Sequence, residues 1–78
     1  MIVNKKRIIF KCPEDILDFL RRVEKYPYNM DVKSGKFVVD AKSLLGLMNI
    51  GTEKEIELKV YEDQCDDLWE DIEKYVAA

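Results

Sequence analysis

Histidine is absent from all 78 residues of this chain, so no imidazole is available as general base, phosphate carrier or metal ligand. Cysteine is scarce. Cys12 and Cys65 lie far apart, and without histidine they offer no tetrahedral zinc site. They could form one bridge at most, and a cytoplasmic chain would keep both thiols reduced. Two prolines and three glycines leave no room for a Gly- or Pro-rich linker, and no repeat interrupts the chain. No apolar run approaches the roughly 20 residues that cross a bilayer. The segment Met1 to Arg7 places its charges after Ile2 and Val3, and no signal-length apolar stretch follows. A cytoplasmic protein is the expectation.

What the chain does contain is an ordinary apolar fraction, 47%, and a high charged fraction, 37%. That combination predicts one folded domain, residues 1–78, with a heavily charged surface and a core near the lower limit of independent stability. Thirteen basic residues face 16 acidic ones, and the signs separate along the chain. Lys5, Lys6, Arg7, Lys11, Arg21, Arg22 and Lys25 come early; Glu62, Asp63, Asp66, Asp67, Glu70, Asp71 and Glu73 come late. A basic half can neutralise phosphates. Here the aromatic–basic alternation of an RNA-reading sheet is missing and the acidic late segment repels a polyanion, so nucleic acid is not the expected partner. Asp66, Asp67, Glu70 and Asp71 read as a solvated helix face rather than as a cation site.

Periodicity predicts the elements. Lys6 to Lys11 is a first strand. Cys12 as N-cap, Pro13 at the first helical position, and Glu14 and Asp15 at the positive end of the dipole open a helix. Its stripe is Ile16, Leu17, Phe19, Leu20 and Val23, and it runs to about Lys25, where Tyr26-Pro27 stops it. Ser34-Gly35 joins two strands into a hairpin, with Met30, Val32, Phe37, Val39 and Ala41 pointing inward. Ser43 caps a short helix, Leu44 to Asn49, ended by Gly51. Glu53 to Tyr61 alternates as a strand with Ile56, Leu58 and Val60 on one face. Asp63 caps a last helix carrying Cys65, Leu68, Trp69, Ile72, Tyr75 and Val76 on one side.

The segment Asp40-Ala41-Lys42-Ser43-Leu44-Leu45-Gly46-Leu47-Met48-Asn49-Ile50-Gly51 resembles the regulatory-serine segment of HPr, the phosphocarrier of the bacterial sugar phosphotransferase system. The resemblance is tight from Lys42 to Gly51 and rests on pattern and spacing from about Phe10 onward. It implies an α+β fold of βαββαβα order: an open-faced sandwich whose four-stranded antiparallel sheet is covered on one side by two long helices and one short one.

The same resemblance places Cys12 where the family carries its phosphorylated histidine, and Glu14 where it carries a phosphate-steadying arginine. The family's Gly- and Pro-rich loop before the histidine has no counterpart, since Arg7 to Lys11 reads as strand. A carboxylate at Glu14 repels a phosphoryl group. The expectation is therefore a non-enzymatic, non-carrier module without cofactor or metal, binding protein partners of the family's kind: enzyme I, a serine kinase or a transcriptional regulator. Ser43 is the modification candidate, and Lys42, Leu44, Leu47 and Met48 form the expected docking surface. Two alternatives stand beside it. Cys12 could itself accept phosphate as a helix-terminal thiol, or the fold could serve interactions unrelated to sugar transport.

Overall fold

The computed structural model describes residues 2–77. In chain order it has β1 (Asn4–Ile9), α1 (Pro13–Val23), β2 (Met30–Ser34), β3 (Phe37–Asp40), α2 (Leu44–Ile50), β4 (Glu55–Val60) and α3 (Asp66–Asp71), followed by a 3-10 turn, Glu73–Tyr75. The strands form one sheet in the order β1-β4-β2-β3, with every neighbouring pair antiparallel. The expected α+β open-faced sandwich of βαββαβα order is the fold observed.

Alternation on the strands sets the layering, because successive side chains point to opposite faces. Ile8, Met30, Val32, Ile56, Leu58 and Val60 are buried on the helical side. Arg7, Glu57 and Lys33 lie in register across the other face, which stays open. From α1, Ile16, Phe19 and Val23 enter the core; α2 adds Leu47 and Ile50, and α3 adds Leu68 and Trp69. Each fully buried apolar side chain contributes about 1.5–3 kcal/mol. Phe10, Phe19 and Tyr75 meet edge to face with ring centroids 5.0–6.0 Å apart, joining the end of β1, the middle of α1 and the 3-10 turn.

Four expectations need correction. β1 begins at Asn4 and ends at Ile9 rather than reaching Lys11; beyond it Phe10 is buried and its carbonyl accepts the Glu53 N–H at 2.6 Å. The helix α1 ends at Val23, short of Lys25, and the Tyr26 N–H closes a turn onto the Val23 carbonyl at 3.1 Å.

Phe37 does not point into the core. It is 74% exposed, because it lies at the hairpin end of β3, where no helix covers it.

The last helix is short as well. Its N-cap is Cys65 rather than Asp63, and the α-helical ladder stops at Asp71. Ile72, at φ −106° and ψ 17°, turns the chain into the 3-10 segment. That break lets Tyr75 reach the two phenylalanines and brings Val76 against Ile8 as an antiparallel bridge.

Candidate functional site

The α2 segment is built by local chemistry. The Asp40 carboxylate accepts the Lys42 N–H at 2.8 Å, and the Asp40 carbonyl accepts the Ser43 N–H at 3.0 Å, turning the chain out of β3. Ser43 Oγ then accepts the Gly46 N–H at 3.2 Å, an N-cap that satisfies one of the free amides of the first turn. Gly51, at φ 91°, ends the helix with its N–H on the Leu47 carbonyl at 3.1 Å. A glycine fits that left-handed position without strain.

Gly46 has a separate role. A Cβ there would stand 2.8 Å from the Val39 Cβ, so the missing side chain lets α2 lie directly on β3.

The expected docking residues divide. Leu44 is 40% exposed and Met48 51%, as a docking surface requires, whereas Leu47 is fully buried and belongs to the core. Leu47 and Ile50 are one turn apart on the side of α2 that faces the sheet, which takes Leu47 out of any contact surface. Leu45 is the most exposed apolar residue of the helix, at 78%. From α1, which packs against α2, Leu17 is 48% exposed although its apolar character suggested the stripe. Spacing holds the signal: Ile16, Phe19, Leu20 and Val23 follow the i, i+3, i+4, i+7 pattern, and Leu17 falls outside it.

Lys42 is not free either. Its ammonium donates to the Tyr26 carbonyl at 2.6 Å, tying the start of α2 to the chain leaving α1.

Cys12 occupies the N-cap of α1, half-buried, with no hydrogen bond from its side chain to the first-turn amides. Its carbonyl accepts the Asp15 N–H at 3.0 Å, and the Asp15 carboxylate turns back onto the Lys11 N–H at 2.9 Å. Together with Glu14, the positive end of α1 is already complemented by two side-chain carboxylates. The 11 residues of α1, about 16 Å of helix, follow Cys12, and the Lys42 ammonium is anchored beyond the far end of that helix, at Tyr26.

The acidic residues near the C-terminus are more than a solvated face. Asp71 accepts from Arg22 at 2.7 Å, Tyr26 at 2.8 Å and Lys25 at 2.9 Å. Lys25 first, then Tyr26 and Arg22, hold its carboxyl down at about 2, and the same bond pushes the Tyr26 phenol up to about 12. Asp18 takes the Tyr75 hydroxyl, Arg22 at 2.8 Å and Lys74 at 3.1 Å, and the Tyr75 hydroxyl leads in holding it well below the carboxylate range. Asp67 accepts the Tyr28 hydroxyl at 3.2 Å.

This network fastens α1 to α3 and the 3-10 turn. Among the described residues no group of three His, Cys, Asp or Glu side chains could hold a metal ion. Cys65 is buried, and burial pushes its thiol up, away from reactivity. Among the described residues no helix is long and apolar enough to cross a membrane.

No family model matches this chain, and no curated protein does. Solved structures do. The phosphocarrier protein HPr from Bacillus anthracis str. Ames superposes at a TM-score of 0.78 with 18% identity, over 99% of this chain and 100% of that one. HPr-C-His from Thermoanaerobacter tengcongensis gives 0.69 and 20%, over 95% and 89%. A mycoplasma histidine-containing phosphocarrier protein gives 0.67 and 14%, over 91% and 89%. The chain has the HPr fold over essentially its full length.

Proposed function

We propose that this chain is an HPr-fold binding module without phosphocarrier chemistry, which docks protein partners through the exposed apolar residues of α1 and α2 and is switched at Ser43. The observation that carries the reading is a set of exposed apolar side chains on two helices that pack together: Leu17, Leu44, Leu45 and Met48, between 40% and 78% exposed. A seven-residue helix has too few positions to hide its apolar residues, and those it leaves outside favour association with another apolar surface.

Loss of the carrier step follows from chemistry. The chain has no imidazole, and the nearest substitute, Cys12, sits beside Glu14 and Asp15, whose charges oppose a phosphoryl group. Ser43 is the N-cap of α2, next to the exposed Leu44 in the chain. A phosphate there would add about two negative charges to a surface that binds by excluding water, and so exchange one set of partners for another. The likeness to phosphocarriers of the sugar phosphotransferase system suggests enzyme I, a serine kinase or a regulator that reads HPr as partner classes.

Two phosphorylation reactions followed by intact mass spectrometry test this. One supplies phosphoenolpyruvate and enzyme I, the other ATP and an HPr serine kinase. The expected result is one phosphate from the kinase alone, lost in Ser43→Ala. A phosphate taken from phosphoenolpyruvate at Cys12 would restore the carrier and overturn the proposal. No phosphate from either, beside an active HPr control, would remove the serine switch.

A further inference from the structure

The two edges of the sheet are finished differently. At β1 the chain covers its own edge: Val76 bridges Ile8, and the Ala77 N–H donates to the Arg7 carbonyl at 2.8 Å. At β3 no strand lies beyond among the described residues. Natural edges are usually blunted by proline, a bulge or charge along the strand, because unpaired peptide groups recruit another strand. This edge has no proline and no bulge, and its charges, Lys36 and Asp40, stand only at its two ends, leaving Phe37, Val38 and Val39 uncharged between them. Phe37 is 74% exposed on one face of the strand and Val38 55% on the other.

Which peptide groups are free follows from the register. Ser34 pairs with Phe37 and Val32 with Val39, across a two-residue turn whose first position, Gly35, has φ 59°. The Ala41 N–H continues the same ladder to the Met30 carbonyl at 3.0 Å. Residues 37, 39 and 41 therefore bond to β2, and the N–H and C=O of Val38 point outward.

The sequence at this edge is its own antiparallel complement. Lys36-Phe37-Val38-Val39-Asp40, set against a second copy about a two-fold axis at Val38, places Lys36 opposite Asp40, Phe37 opposite Val39, and Val38 opposite itself. Both Val38 peptide groups then exchange their two hydrogen bonds, and both helical layers fall on the same side of one continuous eight-stranded sheet. Shifting the axis by one residue sets Val38 against Lys36 or Asp40 and loses both opposite-charge pairs. The Asp40 carboxylate uses Oδ1 for the Lys42 N–H, leaving Oδ2 for the incoming ammonium.

From this register we propose that β3 pairs with β3 of a second copy, making this chain a weak symmetric dimer through its free sheet edge. The proposal is independent of Ser43. It assigns Phe37 and Val38 a role that neither the core nor the α1/α2 surface gives them. In the dimer Phe37 of each copy lies over Val39 of the other, at the cleft formed by Ser34, Asn49, Ile50 and Lys54. So short a strand pair falls below the standard interface size, so the dimer is a weak one.

Sedimentation velocity of the full chain from about 10 µM to about 2 mM is the test, a range that reaches into millimolar, weak association. The wild-type chain should shift from monomer to dimer across the range. Val38→Pro removes an N–H that bonds nothing in the monomer, and should weaken the dimer at least roughly tenfold with an unchanged circular dichroism spectrum. Lys36→Glu alone and Asp40→Lys alone should each stay monomeric, since each sets like charges opposite one another twice. Their equimolar mixture should dimerise again, because both cross-strand pairs are then of opposite sign. A wild-type chain that is monomeric throughout would overturn the proposal and leave the edge to a strand of another protein. A dimer indifferent to the charge variants would overturn it too, by placing the contact elsewhere.

Discussion

Gly46 lies against Val39 so closely that any Cβ on residue 46 would stand 2.8 Å from the Val39 Cβ. Two opposing effects therefore meet at this position. Helix propensity favours alanine over glycine by about 1 kcal/mol. Overpacking against a β-branched residue on a held strand costs typically 1–3 kcal/mol. We expect Gly46→Ala to lower stability by about 1 kcal/mol in urea denaturation, and a Val39→Ala background to turn the same change neutral or favourable. A stabilised Gly46→Ala in the wild-type background would show that α2 lifts off β3 at no cost.

Leu47 and Leu45 are two positions apart on one helix and stand at opposite extremes, fully buried and 78% exposed. Leu47→Ala should cost about 2–5 kcal/mol, the range for truncating a core leucine. Leu45→Ala should stay within about 0.5 kcal/mol of wild type. For partner binding the order reverses. Leu45→Ala and Met48→Ala should weaken capture of an HPr-reading partner while leaving the denaturation midpoint unchanged.

The Asp71 bonds make stability depend on pH at the acid end. Its folded carboxyl is held at about 2, below its ordinary value of 3.8. A group whose folded value is depressed supports the fold above its unfolded value and loses that support as pH falls through the folded one. Stability should therefore drop between about pH 4 and pH 2, with Asp18 extending the loss further down. Thermal melts of Asp71→Asn should lie below wild type at pH 7 and converge with it toward pH 2. At the alkaline end Tyr26 reverses the sign: its phenol is raised from 10.0 to about 12, so its contribution is lost as pH rises across that interval.

Glu53 adopts φ 64°, a left-handed conformation that side chains with a Cβ adopt at a cost of about 1–2 kcal/mol. Its N–H is nonetheless held at 2.6 Å by the Phe10 carbonyl, bracing the loop before Cys12 against the entry to β4. Glu53→Gly keeps that bond and relieves the strain. We expect a gain of about 0.5–1 kcal/mol in chemical denaturation, reduced by the greater freedom of glycine in the unfolded chain. A loss of stability instead would mean that the Glu53 side chain supports the loop.

Several features were legible from neighbouring residues alone. Pro13 after Cys12, with two acids following, marked the start of α1 to the residue. Ser43 and Gly51 bounded α2 within one residue, because capping is chemistry between a side chain or a glycine and the nearest amides. Ile56, Leu58 and Val60 alternated on β4 and are all buried, since β4 lies between two strands and its inner face is covered. Leu17, Phe37 and Leu47 were assigned to the wrong side of the boundary between core and surface. Their own apolarity says only that burial is favourable, and whether it happens depends on which element arrives to cover them.

The amino-acid sequence by itself determined the order of elements, the caps of α1 and α2, the hairpin turn and the absence of imidazole, because each depends on contacts within a few residues or on composition. Tertiary structure alone decided the rest. The 3-10 break after Asp71 is the turn at which Tyr75 meets Phe10 and Phe19, and the choice of Leu45 over Leu47 as surface follows from the face that α2 turns to the sheet. Asp71 became an anchor for Arg22, Lys25 and Tyr26 because folding brings α3 beside the end of α1. Those pairings join residues more than 40 positions apart, and the geometry that selects them exists only once the sheet has formed.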